Sequence, residues 1–303
     1  MSNTNPVSTA NINAQKILPD YDWIKENAKE FFGKTIVFVS PGFKLTEDFL
    51  SAIEDKNMKV KIANAHQTGG LEPLVTEEIK KLTELGINAL GVSLLYEYAP
   101  VQTKDGSIVL EKLNYQDAID KGKLVYVGKI LVPIYGKEEV VKVYAAKFET
   151  KTGKNACVLY LSHPEITTEI YPGNYEIREK QMILLGRGTL AILKEIKENP
   201  EFKKAVLSLG FHFYEIEPMV IQLNEALTSF AHPKVATDKF TNDSYLNSLI
   251  YGFTTHTPVE ADLQKIPIQN AQKIGLNSEL WEYGIIKGGQ IDLTKICLSL
   301  CVR

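Results

Sequence analysis

The apolar residues of this chain fall into short continuous runs separated by stretches with helical spacing, which is the pattern of an α/β domain. KTIVFVS is a continuous apolar run, as in strands that are buried on both faces. The pattern predicts, in chain order, a strand at Lys34 to Ser40, a helix at Thr46 to Asp55 with Thr46 as its cap, a strand at Met58 to Ala63, a helix at Pro73 to Leu85 and a strand at Ile87 to Tyr96. This βαβαβ order predicts a parallel, Rossmann-like sheet with right-handed crossovers.

The stretch from Val101 to Leu161 has a different pattern, which is typical of antiparallel strands. Asp105-Gly106 is a hairpin signal, and KTGKN from Lys151 to Asn155 is a turn sequence. Strands are predicted at Val125 to Ile134, Val140 to Phe148 and Cys157 to Ser162, so an antiparallel β segment is inserted into the α/β chain. Outside it we predict helices at Tyr21 to Phe32, Ile177 to Glu198 and Leu293 to Val302, and strands at Met219 to Leu223 and ending at Phe253 to His256.

Composition restricts the classes of partner. The 303 residues carry a formal net charge of −3, which argues against nucleic acid and anionic membrane surfaces as partners. No segment approaches the ~18 consecutive apolar residues that span a bilayer, and residues 1–16 have the composition of a disordered polar tail rather than a signal peptide. Three cysteines fit a reducing cytoplasm, and Cys297 and Cys301 are expected to be buried apolar residues rather than metal ligands.

Four segments in the same order resemble motifs of the α-glucan phosphorylases. These are TGGLEPLVTEEIKKLTELGINALGVSLLYEYAPVQTKDG (Thr68 to Gly106), IYPGNYEIREKQMILLGRGTLAIL (Ile170 to Leu193), VIQLNEALTSF (Val220 to Phe230) and FTTHTPVEAD (Phe253 to Asp262). They are similar to the family's glycine loop with L-Y-x-Y, to its L-Y-G-G-D helix motif, to its N-E-G-H strand end and to T-T-H-T-P. The resemblance implies that residues 17–303 form the Rossmann-like N-terminal domain of a two-domain GT-B glycosyltransferase.

The resemblance also implies a chemistry. Family members cleave the terminal unit of an α-1,4-glucan or maltodextrin with phosphate, giving glucose 1-phosphate, and the phosphate of pyridoxal phosphate does the acid–base work. The family's G-T-G-N-x-K cofactor lysine motif occurs nowhere in this sequence. We therefore expect the C-terminal cofactor domain to be absent, no cofactor to be bound to the isolated chain, and the isolated chain to be inactive.

Six residues are carried over from the family as site candidates. Asn224, Glu225 and His256 match residues of the catalytic wall, and His256 also matches the histidine that lines the glucosyl subsite. Gly69, Gly70 and Leu71 match the glycine loop, where backbone N–H groups can approach an anion at a helix N-terminus. Each group has a plainer interpretation as well: an ordinary loop start, a hydrogen-bonded histidine at a strand end, and a tight turn without a ligand. No metal site is predicted.

The sequence departs from the family at three places that bear on the candidate site. Glu72 replaces the next glycine of the loop, and its carboxylate would repel a phosphate dianion. Leu227 replaces a histidine and cannot donate a hydrogen bond to sugar or cofactor. The connection from Asn64 to Thr68 is shorter than in the family, and its His66 is expected to be a solvated loop histidine.

Whether the chain is an enzyme is left open by these residues. It is either the glucan-side half of a phosphorylase that needs a C-terminal half, or a non-catalytic relative that binds glucan or a partner protein. A different Rossmann-like enzyme is a more distant alternative. The face that meets the second domain in full-length relatives would be an exposed cleft here, so pairing with a C-terminal half or self-association through that face is expected.

Overall fold

The computed structural model describes residues 35–209, 219–236, 238–256, 265–276, 278–280, 283, 285–286 and 288–301. The expected polar tail at 1–16 and the helix predicted at Tyr21 to Phe32 lie outside these residues.

Strands account for the centre of the molecule. They are β1 Thr35–Val39, β2 Asn88–Leu94, β3 Tyr98–Gln102, β4 Ile108–Lys112, β5 Leu124–Ile134, β6 Lys137–Glu149, β7 Asn155–Ser162, β8 Met219–Asn224, β9 Ile250–Thr254, β10 Lys265–Pro267, β11 Ile285–Ile286 and β12 Gln290–Asp292. Seven of them form one sheet in the order β5-β6-β7-β2-β1-β8-β9, while β3 and β4 pair as a hairpin and β10, β12 and β11 form a small third sheet.

Helices connect and cover these strands. They are α1 Glu47–Ser51, α2 Lys56–Ala65, α3 Leu71–Glu84, α4 Gln116–Asp120, α5 Tyr175–Glu198, α6 Pro200–Leu207, α7 Asp238–Thr241, α8 Ser244–Ser248, α9 Ile268–Lys273 and α10 Leu293–Leu300, with 3₁₀-helices at Ala226–Ala231 and Ser278–Leu280. In the part of the chain that the structure describes, no helix has both the length and the apolar character needed to cross a membrane.

The main sheet is parallel at its centre and antiparallel at one side. Strands β7, β2, β1, β8 and β9 run parallel to one another, whereas β6 runs antiparallel to both β5 and β7. The predicted Rossmann-like α/β fold with an inserted antiparallel segment is therefore confirmed. The insertion is continuous with the parallel sheet, because β7 pairs with β6 on one side and with β2 on the other.

The predicted strand at Met58 to Ala63 is wrong. This stretch belongs to helix α2, so β1 and β2 are separated by three helices rather than by a helix, a strand and a helix. Asp55 caps α2 by accepting hydrogen bonds from the backbone N–H groups of residues 57 and 58. The apolar residues of MKVKIANA satisfy both periods, and burial of Ile62 and Ala65 with partly buried Met58 follows the helical one.

Helix α5 is the long element that packs across the sheet. Its middle, from Gln181 to Leu193, is buried without interruption, because it lies between the sheet and the 3₁₀-helix Ala226–Ala231. Such a helix loses its amphipathic pattern, as expected for one that is covered all round. Since that 3₁₀-helix follows directly after β8, α5 supports the edge of the sheet at which β8 ends.

Candidate functional site

Two neighbouring strands bring the predicted catalytic residues together. β8 and β9 are parallel and in register, with Asn224 opposite Thr254. Asn224 ends β8, Glu225 follows it, and His256 lies two residues beyond the end of β9. Carboxyl ends of parallel strands meet at one edge of the sheet, which is where ligands of open α/β sheets bind. The structure thus places Asn224, Glu225 and His256 in one cluster.

Glu225 uses both of its carboxylate oxygens to hold the segment after β9. Its Oε1 accepts from the His256 backbone N–H at 2.7 Å, and its Oε2 accepts from the Thr255 hydroxyl at 3.0 Å. The backbone of Glu225 has φ 67° and ψ 158°, a region that is essentially restricted to glycine. A buried carboxylate in a strained backbone that makes two charge-assisted bonds is well placed to fix the position of His256.

Asn224 connects the same histidine to the centre of the sheet. It is almost fully buried, its Nδ2 donates to the carbonyl oxygen of Val39 at 3.2 Å, and its Oδ1 lies 3.4 Å from His256 Nε2. Because Oδ1 is only an acceptor, the contact places the ring proton of His256 on Nε2. The end of β1 and the ends of β8 and β9 are thereby joined through one amide side chain.

The glycine loop lies at the N-terminus of helix α3. Gly70 is its N-cap residue and Leu71 its first residue, while Gly69 and Gly70 are both exposed. The backbone N–H of Gly69 donates to Glu72 Oε2 at 3.0 Å. The carboxylate predicted to stand at this helix end is therefore the group that the loop contacts.

Glu72 is buried and links the loop to a distant segment. Its Oε1 accepts from the hydroxyl groups of Thr68 at 3.3 Å and Tyr171 at 3.4 Å. Tyr171 itself has a left-handed backbone with φ 52°. A Cβ placed on Gly42, in the loop after β1, would lie 2.7 Å from Glu72 Cγ, so a larger residue at position 42 would displace Glu72.

A small apolar pocket adjoins the loop after β1 and the segment that follows Glu225. It has a volume of about 20 Å³, and its lining residues are Pro41, Leu94, Tyr96, Tyr171, Arg178, Gln181, Met182, Leu185 and Leu227. Leu227 forms part of the apolar lining of this pocket. The pocket places Tyr171, which binds Glu72, near the segment that follows Glu225. No direct hydrogen bond joins Gly69, Gly70 or Leu71 to Asn224 or His256 within the described residues.

A second carboxylate of α3, that of Glu78, interacts electrostatically with His256. Partial burial raises the pKa of the Glu78 carboxyl above its ordinary value, and the nearby His256 opposes that shift. Interaction between these groups places the side of α3 that carries Glu78 close to the end of β9.

His66 was predicted to be solvated, and this is wrong. It is fully buried, packs against the rings of Tyr96 and Tyr160, and its Nε2 lies 2.9 Å from the hydroxyl of Tyr115. Tyr115 donates its proton to the carbonyl oxygen of Tyr96 at 2.7 Å, so Nε2 of His66 is the donor in their contact. Burial lowers the pKa of His66 to about 3.

The buried network of His66, Tyr115 and Tyr96 continues to the loop after β1. The sequence did not indicate this support for the candidate site. The hydroxyl of Tyr96 donates to the carbonyl oxygen of Pro41 at 2.6 Å, and Ser93 donates to the same oxygen at 3.0 Å. These bonds fix the loop after β1, which lines the pocket. The sequence offered a signal only in Tyr96, which belongs to the L-Y-x-Y motif; nothing in it indicated the partners.

The cysteines behave as predicted, and Cys157, Cys297 and Cys301 are all buried free thiols. In the described ranges, no three His, Cys, Asp or Glu side chains form a group suited to holding a metal ion.

Sequence comparison gives two relevant relatives. The chain is 29% identical over 228 residues to the maltodextrin phosphorylase of Thermococcus litoralis and 26% identical over 258 residues to the glycogen phosphorylase of Aquifex aeolicus. These matches cover 68% and 79% of this chain but only 25% and 32% of the relatives. No protein-family model matches the sequence.

Structure comparison identifies the fold. The catalytic domain of starch synthase IV from Arabidopsis thaliana, solved with ADP and acarbose bound, matches 88% of this chain and 43% of its own length, with a TM-score of 0.56 at 13% identity. The fold is therefore that of a Rossmann-like domain of a GT-B glycosyltransferase. The resemblance to the α-glucan phosphorylase family is confirmed, and the chain spans less than a third of the length of these phosphorylase relatives.

Proposed function

Because the chain is related to α-glucan phosphorylases and has a GT-B domain fold, we propose that it forms the glucan-facing half of a glycosyltransferase site. The observation that supports this most is the assembly of Asn224, Glu225 and His256 at the carboxyl edge of the sheet. The proposed ligand is an α-1,4-glucan or maltodextrin, bound through hydroxyl groups rather than through charge.

Within this site we assign different roles to the three residues. His256 is the group that contacts sugar, through its side chain or backbone carbonyl. Asn224 and Glu225 are positioning residues, because Oδ1 of Asn224 faces the ring and both carboxylate oxygens of Glu225 are used on residues 255 and 256. Gly69, Gly70 and Leu71 are proposed to contribute backbone contacts from the N-terminus of α3.

The proposed reaction, phosphorolysis of the glucan to glucose 1-phosphate, requires a second half that supplies the cofactor. We propose that this chain alone holds no pyridoxal phosphate and is inactive alone. Two observations support this: the G-T-G-N-x-K lysine motif does not occur in the sequence, and the donors of the glycine loop do not fit the cofactor's phosphate, since Glu72 already occupies them. A C-terminal half or a second copy of the chain is the proposed partner at the exposed cleft.

A non-catalytic role is the second candidate, with the chain binding glucan or a partner protein. Two observations favour it. The carboxylate of Glu72 stands where an anionic reactant would be repelled, and Leu227 gives the pocket an apolar wall. Glucan binding at the His256 cluster is common to the first candidate and to the glucan-binding form of the second.

Affinity electrophoresis through a glycogen gel tests the shared part. The chain should be retarded, and His256→Ala should migrate freely, because it loses the group that contacts sugar. Tyr126→Ala, which alters an exposed residue on β5, is the control and should be retarded like the unmodified chain. Equal migration of the unmodified chain with and without glycogen would contradict the proposal.

A mixture of the chain with maltoheptaose, phosphate and pyridoxal phosphate tests the activity. We expect no glucose 1-phosphate. Its formation by the chain alone would show that the proposed inactivity is wrong.

A further inference from the structure

The loop before α3 and the distant Tyr171 together offer three hydrogen-bond donors that converge on one point. They are the backbone N–H of Gly69 and the hydroxyl groups of Thr68 and Tyr171. The point lies at the N-terminus of α3, a helix of 14 residues whose dipole favours negative charge there. Three uncharged donors at the positive end of a helix form an arrangement that suits an oxyanion.

The chain's own carboxylate occupies that point. Both oxygens of Glu72 are within hydrogen-bond distance of these donors, and the side chain is 1% exposed. Gly42 packs against Glu72 Cγ, since a Cβ at position 42 would come within 2.7 Å of it. The carboxylate is thus enclosed by the loop after β1, the glycine loop and the segment of Tyr171.

We infer that Glu72 determines the specificity of this site by acting as a built-in oxyanion. The donors of the loop are already used, and a second anion would meet both a filled position and the carboxylate of Glu72. The N-terminus of α3 consequently excludes inorganic phosphate and other small oxyanions, which leaves the neutral sugar as the ligand of this half-site. This inference rests on the proposed function for the identity of the sugar, but the exclusion of oxyanions stands on the geometry of Glu72 alone.

Replacing the carboxylate should open the position. We expect Glu72→Ala to bind inorganic phosphate at least about tenfold more tightly than the unmodified chain, because the Gly69 N–H and the Thr68 hydroxyl lose their carboxylate acceptor and the repulsion is removed. The measurement is isothermal titration of phosphate into each folded protein, with circular dichroism and thermal unfolding as the check on folding. Glu72→Ser serves in the same way should the alanine variant fail to fold.

Two further variants separate occupancy from charge. Glu72→Gln keeps the size of the side chain and should still exclude phosphate, because the position stays filled. Glu84→Ala removes one negative charge from the other end of α3, where Glu84 pairs with Lys81, and should leave phosphate binding unchanged. Phosphate binding by the unmodified chain as tight as by Glu72→Ala, no gain in a folded alanine or serine variant, or an equal gain in Glu72→Gln would each overturn the inference.

Titration of maltoheptaose into the same proteins distinguishes this inference from the proposed function. Absence of maltoheptaose binding to the unmodified chain contradicts the proposed function and leaves the phosphate comparison valid. If the unmodified chain binds maltoheptaose but Glu72→Ala shows no gain in phosphate binding, only the inferred role of Glu72 is contradicted.

Discussion

Glu225 combines a costly backbone conformation with two favourable contacts. A non-glycine residue at φ 67° and ψ 158° costs on the order of 1–3 kcal/mol. Its carboxylate makes two bonds to the 255–256 segment, and hydrogen bonds to a charged group contribute about 1.5–3 kcal/mol each. Glu225 therefore serves to position His256, although its backbone conformation is unfavourable for a residue other than glycine.

This balance predicts different outcomes for two small substitutions. Glu225→Gly relieves the strain while losing the contacts, whereas Glu225→Ala loses the contacts and keeps the strain. The alanine variant should be less stable than the glycine variant by about 1–3 kcal/mol in urea unfolding. Both should bind maltoheptaose more weakly than the unmodified chain. Equal stability of the two variants would argue against strain at this position.

Two buried histidines link stability to pH. Burial lowers the pKa of His66 to about 3 and that of His232 to about 4, from an ordinary value of 6.5. Below pH 6.5 the unfolded chain therefore binds protons that the folded chain does not. Stability from these groups is complete above pH 6.5 and is lost as the pH falls toward their folded values.

Replacement of one such histidine should reduce the change in the free energy of unfolding with pH. The unmodified chain should lose about 2 kcal/mol of unfolding free energy per buried histidine between pH 7 and pH 5, because pH 5 lies about 1.5 units below the ordinary pKa of 6.5 and each unit is worth about 1.36 kcal/mol. His66→Gln is expected to be less stable at pH 7, because its contact with Tyr115 is altered, but to lose less between the two pH values. Urea unfolding at both pH values measures this, and an unchanged loss in the variant would contradict the assignment.

At the scale of elements, helix α5 approaches the 3₁₀-helix after β8 through glycine. A Cβ on Gly186 would collide with the backbone of Phe230 and Ala231, whereas a Cβ on Gly188 would meet the side chain of Leu161 at 2.6 Å. Backbone atoms cannot move aside by a change of rotamer, whereas a side chain can. The first glycine therefore sets the distance between α5 and the segment that follows Glu225.

This difference predicts the effects of a matched pair of substitutions. Gly186→Ala should destabilise the fold by about 3 kcal/mol or more, the upper end for overpacking, and should weaken maltoheptaose binding as the 3₁₀-helix moves. Gly188→Ala should cost about 1 kcal/mol or less, because Leu161 can change rotamer and alanine favours helix. Thermal unfolding of both variants is the measurement. A milder effect at Gly186 than at Gly188 would contradict the packing.

Most elements could be predicted from the sequence, since buried parallel strands such as β1 and β2 give continuous apolar runs. Met58 to Ala63 could not be assigned, because its apolar spacing fits both a strand and a helix; the cap at Asp55 was the missed signal. The clustering of Asn224 with His256 was implied by the family resemblance, and the register of β8 with β9 accounts for it. The bond between Tyr171 and Glu72 did not, because these residues are 99 positions apart and meet only through the fold.

At the scale of the whole molecule, the carboxyl edge of the sheet carries both the His256 cluster and the glycine loop. The same edge presents Tyr171 and Tyr175, which are 37% and 44% exposed. A surface that combines exposed aromatic rings with a candidate site is suited to a second domain or a second copy. We predict concentration-dependent self-association, measured by light scattering. Strictly monomeric behaviour at high concentration would contradict pairing between copies.

Isothermal titration of maltoheptaose into the unmodified chain is the most direct test of the central claim, that this chain forms a glucan-facing half-site. We predict saturable binding of the α-1,4-linked oligosaccharide, loss of that binding in His256→Ala, and much weaker binding of β-1,4-linked cellohexaose. Absence of saturable binding, or equal binding of the two linkages, would contradict it.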